Sequence, residues 1–301
     1  MEPVVVTGII LSLVAIPAHT LVIAVLMRFR KKSEFKTAFY QMLLSLSVND
    51  LSACLGILFV CSVLFNDLKA YATVEPSVRG VISFGLFLGG QVALVGIAIN
   101  RLISVWFPTS CNALWRQGHT NAAICIQWLC ALAMSVTYLH PDGQARWYFD
   151  ETTGKPTRVN GSLYIADIRT KVQIVSEICT GSSVTVIYTV LVTKMIVYKI
   201  NSPVEQGSDF KREARLALQG VALSAGMVIE AGCFTFLTLF GPDSLSDFMW
   251  FVYIFAYMSN FVLGPFFAIA MSSVIRKHLK KLFRHENVVV AVQPAKTIHK
   301  Y

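Results

Sequence analysis

Ile97-Ala98-Ile99-Asn100-Arg101-Leu102-Ile103-Ser104-Val105-Trp106-Phe107-Pro108 closes a stretch that carries no charged residue from Val81 to Asn100. About 20 apolar residues are enough to cross a bilayer core, so the stretch has the length of a span, and Arg101 falls where hydrocarbon meets water. Gly85, Gly89, Gly90 and Gly96 lie within it, and small residues let neighbouring helices approach closely. The stretch therefore reads as a central, packed helix. Pro108 ends it, because proline has no N–H to donate and disfavours helical geometry in the residue before it.

The composition extends that reading to the whole chain. Its 301 residues are 55 % hydrophobic and 14 % charged, with a mean hydropathy of +0.60, whereas soluble domains carry about 25 % charge. This is the composition of a polytopic membrane protein. A net charge of +9 would point to nucleic acid in a soluble chain, but basic residues at the ends of spans set topology and meet anionic lipid. Membrane lipid is the expected partner, and nucleic acid is not. The seven cysteines lie in apolar runs or, for Cys111, in a short loop placed in the cytosol, so no extracellular disulfide framework is expected. The run Val4–Met27 is longer than a signal-peptide core of about 7–15 residues and reads as a retained anchor.

Apolar runs of spanning length occur at about 4–27, 40–65, 80–107, 121–139, 172–198, 214–240 and 248–272, which makes seven helices. Short cytoplasmic loops carry an excess of Lys and Arg. With the N-terminus outside and the C-terminus inside, 19 of the 26 basic residues fall on the cytosolic side. Residues 1–285 are read as one seven-transmembrane domain, and 286–301 as a cytoplasmic tail.

The outer loop 140–171 holds the sequon Asn160-Gly161-Ser162, a glycosylation acceptor on that side. It also reads as a hairpin, with Trp147, Tyr148 and Phe149 before a turn near Thr153-Gly154 and a second extended stretch towards Tyr164. Such a hairpin is either a lid over a cavity or a solvated loop. After the last run, Val274–Arg284 places Ile275, Leu279, Leu282 and Phe283 on one helical face and basic residues on the other. This is the pattern of an amphipathic interfacial helix.

Four ionisable side chains lie clearly inside the runs: His19, Asp50, Glu177 and Glu230. Charge at the bilayer centre costs at least about 2.5–3.5 kcal/mol on insertion scales, so each is a functional-site candidate. Asp50 belongs either to a polar network or to a structural core as an uncharged acid. Glu177, near the outer end of its run, either snorkels to water or meets a ligand. Glu230 lies just outward of the midplane and is the better pocket candidate. His19 reads as a buried packing histidine before it reads as a metal ligand. No HExxH, GxSxG, phosphate-cradling glycine loop or zinc-spaced Cys/His cluster occurs in the chain. No enzyme, cofactor or metal site is therefore expected.

Taken in order, these residues resemble the rhodopsin-like G protein-coupled receptors over about 1–285. Leu46-Ser47-Val48-Asn49-Asp50-Leu51 is similar to the second-helix LAxAD pattern, and Asn100-Arg101-Leu102 stands where D/E-R-Y ends the third helix. Pro108 has the family's spacing from that arginine, and Trp128 fits the fourth-helix tryptophan. Gly264-Pro265-Phe266-Phe267-Ala268 stands in for NPxxY. Several features depart from the pattern: Asn replaces the acid before Arg101, the seventh run lacks the Asn and Tyr of NPxxY, the sixth lacks its proline, and the outer disulfide is missing. With Pro17 in the first run, these departures look like the nematode serpentine chemoreceptors, in the group containing classes g and v. With no lysine in the seventh run, a retinal Schiff base has no anchor.

The resemblance implies an all-α membrane protein: a seven-transmembrane helix bundle with a C-terminal amphipathic interfacial helix. It implies a chemosensory receptor in the plasma membrane, sensory cilia included, with a small-molecule ligand and a heterotrimeric G protein as partners. By depth, the outer cavity is expected to be lined by Ser83, Phe84, Phe87, Glu177, Glu230, Tyr253 and Tyr257. The resemblance makes Asp50, Asn260 and Pro265 a polar core, and assigns Asn100, Arg101 and Pro108 to G-protein coupling or to holding the inactive state. Glu213, at the inner start of the sixth run, is a candidate partner for Arg101. The rival reading is a seven-helix transporter with Asp50 and Glu230 as ion or proton relays, against which the absence of internal repeats counts.

Overall fold

A computed structural model describes residues 3–66, 80–107, 111, 115–139, 146–150, 155–159, 163–201, 208–240 and 247–284. Helices follow the apolar runs in order: α1 (Pro3–Arg28), α2 (Ala38–Asn66), α3 (Leu86–Trp106), α4 (Gln117–Leu139), α5 (Leu163–Asn201), α6 (Ser208–Phe240) and α7 (Asp247–Met271), with a short α8 (Ser273–Phe283) after them. Among the described residues α1 to α5 each hold a stretch long and apolar enough to cross a membrane, and α6 and α7 contribute the shorter apolar stretches Gly220–Phe236 and Phe255–Met271.

The helices close into a bundle in which α1 packs on α2 and α7, α5 on α6, and α6 on α7. Helix α3 touches α2, α4 and α5, the central position its glycines predict. A side chain at Gly89 would approach Ala131 of α4 and Asn49 of α2 to 3.0 Å, and one at Gly90 would come 3.2 Å from Asn49 Nδ2. A side chain at either position would make its neighbours give way, so glycine suits this close approach. A π-helical turn, Gly80–Gly85, leads into α3. At its far end the Phe107 N–H donates to the Ile103 carbonyl at 2.8 Å. Pro108 lies outside the described residues.

The largest buried apolar cluster gathers Val25 and Phe29 of α1, Phe35 of the α1–α2 turn, Phe39 and Leu43 of α2, Ile97 of α3 and Ile275 of α8. The outward faces are apolar as well, with Ile126, Leu129, Leu132 and Val136 exposed along α4, as a lipid-facing surface requires.

The outer hairpin is present: β1 (Arg146–Asp150) pairs antiparallel with β2 (Lys155–Val159), Arg146 opposite Val159 and Asp150 opposite Lys155. Its second arm is shorter than expected. The chain is helical again from Leu163, so Tyr164 lies on α5 and not in an extended stretch. Leu163–Thr170 contains neither Gly nor Pro, and a helix already nucleated by its packed span propagates through such a segment at little cost. The sequon residue Asn160 lies outside the described residues.

Helix α8 leaves α7 at 88°. Ser272 is its N-cap, the side chain accepting from the Ile275 N–H, which satisfies one of the free donors of a first helical turn. Arg276 donates to the Ile269 and Ala270 carbonyls at the end of α7, where a cation favours the helix terminus.

Candidate functional site

The polar residues fall into three groups at different depths. At the centre, Asp50 is 2 % exposed and accepts from Asn49 Nδ2 at 3.2 Å, while the same amide donates to the Leu86 carbonyl at 2.8 Å. Asp50 meets a glycine on each side: a side chain at Gly90 would lie 3.5 Å from one of its oxygens and one at Gly264 3.7 Å from the other. Asp50 and Asn260 line one cavity of about 30 Å³ with Phe39, Arg101, Tyr188 and Gly264, room for a water or two. The expected pairing of Asp50 with Asn260 is thus a shared cavity between α2 and α7.

The third member of the expected polar core acts differently. Pro265 lies inside α7 and has no N–H for the carbonyl four residues back, which is Phe261. His19 of α1, 1 % exposed, supplies the missing donor, its Nε2 lying 2.7 Å from the Phe261 oxygen. The carbonyl can only accept, so the hydrogen of this bond sits on Nε2.

Near the C-terminal end of α3, the Arg101 guanidinium carbon stands 3.7 Å from the centre of the Phe39 ring. This cation–π contact was not expected from the sequence. Asn100 is buried. Glu213 sits on α6, but its side chain lies outside the described residues, so the expected Glu213–Arg101 pair is untouched by this geometry. Lys194 of α5 donates to the Val105 carbonyl at 2.9 Å and lies 4.4 Å over the Trp106 ring, tying α5 to the end of α3.

In the half of the bundle away from Arg101, Glu177 is 2 % and Glu230 0 % exposed, so neither snorkels to water. Glu177 Oε1 accepts from Gln173 Nε2 at 2.7 Å, and Thr180 donates to Gln91 Oε1 of α3 at 2.8 Å. Gly220 of α6 packs on the Tyr188 ring of α5, and ten residues onward along α6 and eleven back along the adjoining α5 stand Glu230 and Glu177, which puts the two acids at one level. Gln91 is ten residues from Arg101, about 15 Å along the helix at 1.5 Å per residue. Nearby runs an aromatic series: Phe234 of α6 faces Tyr253 at 6.5 Å, Tyr253 meets Tyr257 at 6.4 Å, and Tyr257 meets Phe87 of α3 at 5.2 Å. Phe84 is half-buried, and the Ser83 side chain lies outside the described residues. The structure thus sets Glu177 and Glu230 at one level on the packed helices α5 and α6, and joins Phe87 to Tyr257 and, through it, to Tyr253. Sequence reasoning missed Gln91, Gln173 and Thr180. Only Gln173, four residues before Glu177 and hence on its helix face, was open to such reasoning.

The fourth-helix tryptophan finds a polar partner, Trp128 Nε1 donating to Ser45 Oγ at 3.0 Å while Ser45 donates to Gln127 Oε1 at 2.8 Å. No match to a curated protein is found. A family model does match: the serpentine-type 7TM GPCR chemoreceptor family Srx, over residues 18–264. The resemblance on individual residues was to the nematode serpentine chemoreceptors through classes g and v; the class whose model matches is Srx. Since that match runs from α1 to Gly264 of α7, most of the chain, the protein belongs to the serpentine-type 7TM chemoreceptors of the Srx family.

Proposed function

We propose that this chemoreceptor binds a small molecule between its helices near the outer face and, at its inner face, activates a heterotrimeric G protein from the plasma membrane, with its N-terminus outside. The observation that carries this reading is the separation, in one bundle, of a pair of buried acids from a half-buried arginine. The acids Glu177 and Glu230 stand at the outer level, Arg101 stands at the inner end, and the Asp50–Asn260 cavity reaches the arginine from the middle. A ligand shifts such a bundle only by binding one arrangement better than the other. Contacts at the outer acids must therefore differ between the closed and open forms.

Agonist-dependent nucleotide exchange on a Gα subunit, with the receptor in vesicles, tests the reading. Exchange that follows ligand and is lost in Arg101→Ala supports it. Uptake of labelled solute without exchange would support transport instead, with Asp50 and Glu230 as relays.

A further inference from the structure

Three carboxyl oxygens in the outer half face no donor. Glu177 Oε2 and both oxygens of Glu230 are buried with no hydrogen-bond partner, and neither acid enters an ion pair among the described residues. Buried acceptors left open bear the full desolvation cost of an unmade hydrogen bond, and more when charged. Two acids held together in apolar surroundings oppose one another as well. The three oxygens are thus buried acceptors with capacity for donors from outside the chain.

The arrangement limits what that is. An anion or a neutral acceptor adds repulsion. A hard divalent ion takes six to eight oxygens, and no group of three or more His, Cys, Asp or Glu stands together among the described residues. A primary ammonium carries three N–H donors for these open acceptors, and its positive charge offsets that of an ionised carboxylate. One turn beyond Glu230 on the same face is Phe234, followed by Tyr253 and Tyr257. These rings suit an apolar body attached to the cation and favour positive charge over their faces.

Building on the receptor reading above, we propose that Glu177 and Glu230 together hold the charged end of the ligand, and that the ligand class is a small primary amine with an apolar body lying against Phe234, Tyr253 and Tyr257. Gln173 and the Thr180–Gln91 bond are positioning groups: the first fixes the Glu177 carboxyl, and the second fixes α5 against α3 at that level.

Thermal unfolding of the purified full-length receptor in lipid nanodiscs tests the proposal. The probes are a panel of primary amines with aryl and alkyl bodies, phenethylamine among them, the alcohols of the same shape, the trimethylammonium analogues, and calcium chloride alone. The expected result is a rise in Tm of several degrees with at least one primary amine, and about a degree or less with its alcohol, its trimethylammonium analogue and calcium. Glu177→Gln and Glu230→Gln should each raise the amine concentration needed at least tenfold, and the double variant should abolish the shift. If a variant does not fold, the order of the probes on the unaltered receptor decides. Equal shifts from amine and alcohol, an undiminished shift in both single variants, a shift from calcium alone, or no shift from any amine would each overturn the proposal. An amine shift without nucleotide exchange keeps this site and counts against the receptor reading. Exchange driven by a neutral compound, with no amine shift, does the reverse.

Discussion

His19 Nε2 and the Phe261 carbonyl oxygen, 2.7 Å apart, join α1 to α7 at the one backbone acceptor that Pro265 leaves open. A buried carbonyl without a donor costs about 1–3 kcal/mol. His19→Leu should therefore lower the Tm of the receptor in nanodiscs. In a Pro265→Ala background, residue 265 regains its N–H and the same substitution should cost clearly less. Equal costs in the two backgrounds would mean that the bond does not stand in for the missing helix hydrogen bond.

A second prediction concerns Phe39 under Arg101. Cation–π contacts contribute about 0.5–2 kcal/mol, and a bias of about 1.4 kcal/mol changes an open-to-closed ratio about tenfold. Phe39→Leu should raise ligand-independent nucleotide exchange by up to about tenfold, while Phe39→Tyr, which keeps a ring face, should stay near the starting level. A basal rate unchanged in Phe39→Leu would remove the ring from the closed state.

Glu213 remains the proposed acidic partner of Arg101, since Asn100 stands where the family pattern has an acid and brings no charge. Glu213→Ala should raise basal exchange and Arg101→Ala should lower agonist-driven exchange. With Arg101 already removed, loss of Glu213 should add nothing. An equal basal gain with and without Arg101 would show the two to be uncoupled.

Orientation is checked by epitope tags inserted in the 140–171 loop and beside Lys211-Arg212. The first should be reached on intact cells and the second only after permeabilisation, with Asn160→Gln abolishing any glycan-dependent mobility shift. The opposite labelling would invert the topology.

The spans were legible because a bilayer demands long uncharged runs, and α3's central place followed from its glycines. Asp50 and Glu230 were legible as candidates because acids are so rare in such runs. The partner sets were not. Phe39 reads as one more apolar residue, and nothing in the periodicity of α2 says that its ring meets the guanidinium of Arg101. Gln91 and Thr180 are bonded across an interface between α3 and α5 whose rotational setting no single run encodes. The hairpin's aromatic arm was visible at Trp147–Phe149, but the far arm was overextended, because Leu163–Thr170 has no local signal separating strand from the outward continuation of α5.

His278 of α8 is 1 % exposed, lies 4.6 Å from the Phe29 ring and 4.9 Å from the Phe35 ring, and reaches Glu34 at 3.5 Å. Tyr40 and Ser272 lie 3.1 Å apart alongside it. The inner edge of the bundle formed by α1, α2 and α8 is thereby a stator, clamped through one aromatic and polar joint. Any displacement of α8 therefore has to carry the adjoining ends of α1 and α2 with it.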